Sequence, residues 1–151
     1  MPDRPPDMGD LADFGVVRLV IPAEPMAVRQ ALEQLFATVP PGLLPEDLRM
    51  SAEIVIAEVL NNIVEHAYAG SSGDIDLSVQ PLHGGLRCSV TDHGAPMPDH
   101  RLPGGALPAW QPDDLPEGGF GWFMIQALAQ DIRYDRIGAT NRLTFWLPAE
   151  G

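Results

Sequence analysis

The sequence predicts an α+β fold, a two-layer sandwich in which helices cover one face of a mixed, mostly antiparallel sheet. Two pairs of strand-like segments are each joined by a short glycine-containing turn, at 83–85 and at 138–141, and such turns are typical of antiparallel hairpins. Segments with helical periodicity precede each pair. This order favours helices gathered on one face of a single sheet.

The chain begins with a predicted flexible tail over 1–14, where proline and aspartate are frequent and no periodicity is present. One domain is expected over 15–151, a length that suits a single hydrophobic core. Its first element is a short apolar strand from Val16 to Ile21. A helix follows over 25–38, where apolar residues recur at helical spacing until a Pro-Pro-Gly sequence ends the pattern.

A longer helix is predicted from Pro45 to Ala67 or Tyr68. Proline suits the first turn of a helix, where its missing N–H is not needed, and two acidic residues follow it at the positive end of the helix dipole. Gly70 favours a stop. The buried face is predicted to consist of Leu48, Ala52, Val55, Val59 and Ile63.

The second half of the domain contains strands, an irregular segment and one more helix. Apolar and polar residues alternate over 75–79 and over 86–90, which predicts a hairpin. Residues 92–118 contain six prolines and little regular pattern, and an irregular segment of that length is often a functional lid. The last elements are a helix and two strands, predicted over 119–128, 132–134 and 143–147.

The charge and the basic residues exclude several classes of function. The chain has 21 acidic and 9 basic residues and a net charge of −12, which disfavours binding to nucleic acid or to anionic lipid. Every basic residue is arginine. A Walker A phosphate loop, a eukaryotic-type protein kinase and a Schiff-base enzyme all need a lysine, so none of the three fits this sequence.

The apolar residues and the single cysteine indicate a cytoplasmic protein. No apolar run approaches the roughly 20 residues that a membrane span needs, and the N-terminus lacks the basic and apolar regions of a secretory signal. Cys88 has no partner for an internal disulfide, which fits a reducing compartment. Its alternation with apolar neighbours predicts a core residue rather than a nucleophile.

The first candidate site is a row of polar residues on the long helix. Glu58, Asn62 and His66 follow one another at intervals of four, so they lie on one side of the helix, beside its apolar stripe. A carboxylate there can accept a proton, and an amide oxygen can ligate Mg²⁺. An ordinary amphipathic helix with a polar shoulder would show the same pattern.

Three further segments have features of an anion or nucleotide site. Asp92 ends an apolar strand and Gly94 follows it, so a carboxylate can face a cleft while the chain turns away. Gly119 and Gly121 open a helix, where glycines let backbone N–H groups approach an anion. Thr140 begins the last strand. Taken singly, these segments also fit a plain turn, a hinge and a hairpin.

Together and in this order, the segments resemble the nucleotide-binding boxes of the GHKL superfamily, whose members have the Bergerat ATP-binding fold. The motifs are Glu58 to Asn62 followed by His66-Ala67-Tyr68 for the asparagine box, and Asp92-x-Gly94, Gly119-x-Gly121 and Thr140 for the three glycine boxes. The short chain is similar to bacterial anti-sigma-factor serine/threonine kinases. The resemblance covers about 16–148.

The resemblance implies a role for each nucleotide-site residue. Glu58 would be the general base that accepts the proton of the substrate hydroxyl, and Asn62 would hold Mg²⁺. Asp92 would accept a hydrogen bond from the adenine amino group, and Gly94 would leave room for the ring. The remaining residues would lie near the phosphates (Gly119 and Gly121) and near the adenine (Thr140).

The resemblance also implies an activity and partners. The expected activity is Mg-ATP-dependent phosphorylation of a serine or threonine on a STAS-type anti-sigma-factor antagonist, with binding of a sigma factor by the same domain. Val28-Arg29 resembles the segment that contacts protein partners, and a homodimer is a possible assembly. Two other interpretations remain open: an ATP-binding module without kinase activity, and an ATPase in which Glu58 activates water.

The sequence departs from the family pattern in two places. Pro96 lies where the first glycine box often has a second glycine, and the predicted lid has no lysine that could reach the γ-phosphate.

Two alternative sites are also conceivable. The first is a transition-metal site formed by the pairs Asp92-His93 and Asp99-His100. The second is a phosphoacceptor role for His66, as in sensor histidine kinases, although the chain has no room for their dimerisation helices.

Overall fold

The computed structural model describes residues 15–40, 42–97 and 119–149. The strands are β1 (Val17–Pro22), β2 (Asp74–Leu82), β3 (Gly85–Asp92), β4 (Gln130–Ile137) and β5 (Thr140–Pro148). The helices are α1 (Pro25–Thr38), α2 (Glu46–Asn62), which is followed directly by a π-helical turn (Ile63–Ala67), and α3 (Gly119–Leu128). The predicted tail, and the predicted lid from 98 to 118, lie outside the described residues.

The sheet has the order β1-β2-β3-β5-β4, and all of its described pairings are antiparallel. The α+β prediction is therefore confirmed, but the described strands include no parallel pair that would make the sheet mixed. The reason lies in the connection between β1 and β2. Helices α1 and α2 lie between β1 and β2 in the sequence and return the chain to the edge of the sheet where β1 ends. Strand β2 therefore starts beside the end of β1, with Asp74 opposite Pro22.

One face of the sheet is buried under the helices and the other is open. Side chains alternate between more and less buried positions along β2, β3 and β5, which is typical of an antiparallel sheet covered on one face. The apolar stripe predicted for the long helix, which now spans α2 and the first residue of the π turn, is buried in full, at Leu48, Ala52, Val55, Val59 and Ile63. Within the described ranges, none of the helices has the length and hydrophobicity that a membrane-spanning helix needs.

Helix α2 begins one residue later than predicted and changes its geometry near its end. Pro45 has a non-helical backbone (φ −56°, ψ 145°) and is the N-cap residue of the helix instead of occupying its first turn. After Asn62 the chain continues as a π turn to Ala67, closed by a hydrogen bond from the Tyr68 N–H to the Ile63 carbonyl. A π turn adds one residue to a helical turn, and such turns are frequent at functional sites.

Cys88 lies on β3 in the core, as predicted, and we expect its thiol to be unreactive in the folded protein. The residue is fully buried, and burial raises the pKa of the thiol far above its ordinary value, so the nucleophilic thiolate is not formed near neutral pH. An aromatic disulfide reagent should therefore modify native protein at least about a hundredfold more slowly than the urea-unfolded chain. Equal rates would show that Cys88 is accessible.

Candidate active site

Glu58 and Asn62 lie one turn apart near the end of α2, and both are partly exposed. The Asn62 side chain donates from Nδ2 to the carbonyl oxygen of Glu58 over 2.8 Å. That bond fixes the side-chain amide and uses its nitrogen. The amide oxygen, Oδ1, makes no hydrogen bond within the described part of the chain, so it is the atom of Asn62 that can meet a hard cation.

Gly121, in the first turn of α3, packs directly against this pair. A Cβ atom at Gly121 would lie 2.6 Å from Glu58 Oε1 and 3.3 Å from Asn62 Nδ2. Only a glycine leaves the Glu58 carboxylate its present position. The structure thus brings Gly121, which the sequence predicted in a separate segment, against the pair that the sequence placed on one helix. Gly119 begins the same helix as Gly121.

Tyr68 lies immediately after the π turn, and its hydrogen bonds connect the end of this helical segment to the sheet. Its hydroxyl donates to the carbonyl of Asp74 at the start of β2 over 2.9 Å and accepts the His93 N–H over 2.8 Å. Burial raises the pKa of the Tyr68 hydroxyl, which keeps it protonated as a donor. Gly73 is required beside it, because a Cβ there would lie 2.5 Å from the ring.

His66 falls within the π turn that follows α2, and its side chain is exposed. Glu58 and Asn62 are only partly exposed, so the structure keeps these two residues together at half-buried positions and leaves His66 toward solvent.

Asp92, the last residue of β3, is only 4% exposed. Its Oδ1 accepts two hydrogen bonds of 2.8 Å, from the Gly94 N–H and from Asn141 Nδ2. The second oxygen, Oδ2, makes no hydrogen bond with any described residue. No fully buried side-chain oxygen or nitrogen of the described residues lacks a hydrogen-bond partner. Since Oδ2 has no such partner, this atom is not fully buried. It can accept a hydrogen bond from a ligand.

Gly94 is required at its position by a close contact with the backbone of the π turn. A Cβ atom on Gly94 would overlap the backbone carbonyl of Ala67, and the neighbouring Ala95 donates its N–H to that carbonyl over 2.8 Å. The π turn therefore fills the space that a Cβ atom at Gly94 would need. The same contact joins the Asp92 segment to the helix that carries Glu58 and Asn62. The contact of Gly94 with an adenine ring stays a prediction.

Asn141 is the site residue that the sequence analysis missed. It is 4% exposed and lies opposite Asp92 in the register of β3 and β5. Its alternation with Leu143 and Phe145 places it on the apolar face of β5, and a buried polar side chain on such a face is informative. The hydroxyl of Thr140, which was predicted to lie near the adenine, lies 3.2 Å from His93 Nδ1.

The described residues offer no transition-metal site. They include no group of three or more histidine, cysteine, aspartate or glutamate side chains that could hold an ion. Asp92 is engaged with Gly94 and Asn141, and His93 with Thr140. The second predicted pair, Asp99 and His100, lies outside the described residues.

The fold and these boxes define the class of protein. Residues 21–146 match the family described as histidine kinase-like ATPase domain, and the chain belongs to this family. Membership confirms the resemblance carried by the asparagine and glycine boxes, and ATP is the nucleotide that the family implies.

Among named proteins, the chain is similar to the serine-protein kinases RsbW. The relative from Staphylococcus aureus is 26% identical over 146 residues, covering 91% of this chain and 89% of the relative. The relative from Oceanobacillus iheyensis is 24% identical over 127 residues, covering 82% of this chain and 80% of the relative.

Solved structures support the same fold. The crystal structure of the RsbU and RsbW domains of a Mycobacterium tuberculosis protein matches with a TM-score of 0.59 at 20% identity. That match covers 89% of this chain and 33% of the larger one. The blue-light activated histidine kinase EL346 of Erythrobacter litoralis matches with a TM-score of 0.53 at 20% identity, covering 81% of this chain and 39% of that one.

Proposed function

We propose that the chain is a Mg-ATP-dependent serine/threonine protein kinase and anti-sigma factor that phosphorylates a STAS-type antagonist in a partner-switching system. The observation that carries the proposal is the contact of Gly121 with Glu58 and Asn62. It joins a candidate base, a candidate cation ligand and a glycine-rich helix start in one place. The similarity to serine-protein kinases over nearly the full chain supports the choice of substrate.

The nucleotide would lie between the two groups of site residues. Asp92 Oδ2 would accept a hydrogen bond from the adenine amino group, because Oδ1 is already used by Gly94 and Asn141. The N-terminus of α3, with Gly119 and Gly121, would face the phosphates, where a helix N-terminus favours negative charge. Thr140 would lie near the adenine and would act there only through its hydrogen bond with His93.

The donor set fits Mg²⁺ and an acid–base role for Glu58. Asn62 Oδ1 is a hard oxygen ligand of the kind Mg²⁺ takes alongside water and substrate phosphates, and a bound Mg²⁺ would neutralise charge on the phosphates. Glu58 would accept the proton of the serine or threonine hydroxyl while that oxygen bonds to the γ-phosphorus of ATP. The bond from the γ-phosphorus to the bridging oxygen breaks, and ADP leaves.

Arg29 would contact the protein partner. It lies on α1 with an exposed side chain and forms no hydrogen bond or ion pair within the described residues. An exposed arginine without an internal partner can pair with a carboxylate of another protein.

The fate of labelled γ-phosphate tests the proposal. Partners captured from the native cell with the parent protein would be incubated with it and labelled Mg-ATP. The proposal expects acid-stable label on serine or threonine of a captured STAS-type protein, and a sigma factor in the same capture. Free phosphate would favour the ATPase interpretation, and nucleotide binding without loss of the γ-phosphate would favour the binding module.

We expect Gly121→Ala to keep the fold and reduce phosphoryl transfer at least about tenfold. Alanine is favoured over glycine in a helix by about 1 kcal/mol, and the atom it meets, Glu58 Oε1, ends a flexible side chain that can turn away. Urea unfolding should show stability that is unchanged or raised, while single-turnover transfer slows. In this background Glu58→Gln should slow transfer by a smaller factor than it does in the parent, since the two residues act together. Additive losses would show that Gly121 does not position Glu58.

A further inference from the structure

Two side chains of the edge strand β4 converge on Asn141. The Tyr134 hydroxyl donates to Asn141 Oδ1 over 2.6 Å, and Arg136 Nη1 donates to the same oxygen over 3.0 Å. An arginine can only donate hydrogen bonds. The amide of Asn141 is therefore held with its oxygen toward β4 and its nitrogen toward Asp92, where Nδ2 donates to Oδ1 over 2.8 Å.

The same two side chains also hold the backbone that follows Asp92. Arg136 Nη1 donates to the Gly94 carbonyl over 2.7 Å, and the Tyr134 hydroxyl accepts the Met97 N–H over 2.9 Å. Asn141 adds a bond of 2.9 Å from Nδ2 to the Ala95 carbonyl. Residues 94–97 form no helix or strand of their own, so side-chain hydrogen bonds from β4 and β5 contribute to the order of this segment.

We propose that Tyr134 and Arg136 are positioning residues for recognition of the nucleotide base. They act through Asn141 and the backbone of 94–97, fixing the Asp92 carboxylate so that Oδ2 is presented to the ligand before it arrives. A site that is already ordered binds without the cost of ordering it. The proposal rests on the function proposed above, since it takes Asp92 as the residue that contacts the base.

Calorimetric titration with adenosine, Mg-ADP and Mg-ATP tests this inference on the parent, Tyr134→Phe and Arg136→Met. Each variant removes two hydrogen bonds of the network, so the Kd should rise about tenfold. The factor should be the same for all three ligands, because only the base and its sugar are common to them. The binding stoichiometry should not change. At saturating ATP, phosphoryl transfer should stay within about twofold of the parent rate, since the lost interaction is at the binding step.

Arg133→Met is the matched control. Arg133 lies on the same strand with its side chain 75% exposed, and among the described residues its one ion pair is a 4.0 Å contact with Asp131. Its Kd values should equal those of the parent. Tyr134→Phe removes only one oxygen atom and should fold normally. The inference can therefore still be tested if Arg136→Met fails to fold.

Three results would overturn the inference. Parental Kd values in both variants would show that β4 does not position the site. A reduced stoichiometry with an unchanged Kd would show that the network only stabilises the fold. A parent that binds neither adenosine nor Mg-ADP would instead remove the proposed function, and this inference with it.

Discussion

Replacing Glu58 by glutamine should slow phosphoryl transfer by at least about a hundredfold, the usual scale of general-base catalysis, while affinity for Mg-ATP stays near the parent value. Glutamine keeps the size of the side chain beside Gly121 and removes only its ability to take a proton. Single-turnover transfer to the antagonist measures the rate, and calorimetry measures the affinity.

Two other substitutions on α2 separate this effect from damage to the helix. Glu53→Gln changes an exposed carboxylate whose partner is Arg49 at 3.6 Å, and it should leave the transfer rate unchanged. Asn62→Ala should instead weaken Mg-ATP binding, because the loss falls on the proposed cation ligand. Transfer by Glu58→Gln at the parental rate would mean that Glu58 is not the base, and the mechanism would have to be abandoned.

Asp92→Asn should remove most of the stabilisation that Mg-ADP gives to the folded protein. The amide oxygen can keep the bonds from Gly94 and Asn141, but the amide nitrogen then replaces Oδ2 and turns a donor toward the adenine amino group. Loss of a hydrogen bond to a charged group costs about 1.5–3 kcal/mol, or roughly 10- to 150-fold in affinity. At a ligand concentration of about 100 times the parent Kd, a hundredfold loss lowers the stabilisation from about 2.7 to about 0.4 kcal/mol.

Thermal unfolding with and without Mg-ADP measures this effect. Asp76→Asn is the control, because Asp76 is an exposed carboxylate on the neighbouring strand β2 and should keep the full ligand-induced shift. The unliganded Asp92→Asn variant should unfold near the parent temperature, since its internal hydrogen bonds are retained. A parental shift in Asp92→Asn would remove Asp92 from the base site.

The sequence was sufficient to predict features that depend on local periodicity. The alternation over 75–79 and 86–90 gave the β2–β3 hairpin, and the stripe from Leu48 to Ile63 gave the buried face of α2. Spacing on one helix also placed Glu58 beside Asn62. These features follow from residues a few positions apart, where helix and strand geometry fix the relation between side chains.

Features that depend on contacts between distant segments were not predictable. The role of Asn141 depends on the register that sets it opposite Asp92, and the requirement for Gly94 depends on the carbonyl of Ala67 in a π turn. A single sequence carries no local signal for either contact. The difference between Thr140 and Asn141 depends on the same register, since one step along a strand moves a side chain to the opposite face of the sheet.

Titration of ¹⁵N-labelled protein with Mg-ADP, followed through its backbone amide signals, tests most directly whether these residues form one nucleotide site. The account predicts that the largest shifts fall on the amides of Asn62, Gly94, Gly119 and Gly121. Signals from the open face of the sheet, at Ser78 and Ser89, should hardly move. The structure also has a groove of about 450 Å³ between α1 and α2, lined by Leu32, Phe36 and Arg49 among others. If the largest shifts fell in that groove while Gly94 and Gly121 stayed unchanged, the site described here would not be the nucleotide site.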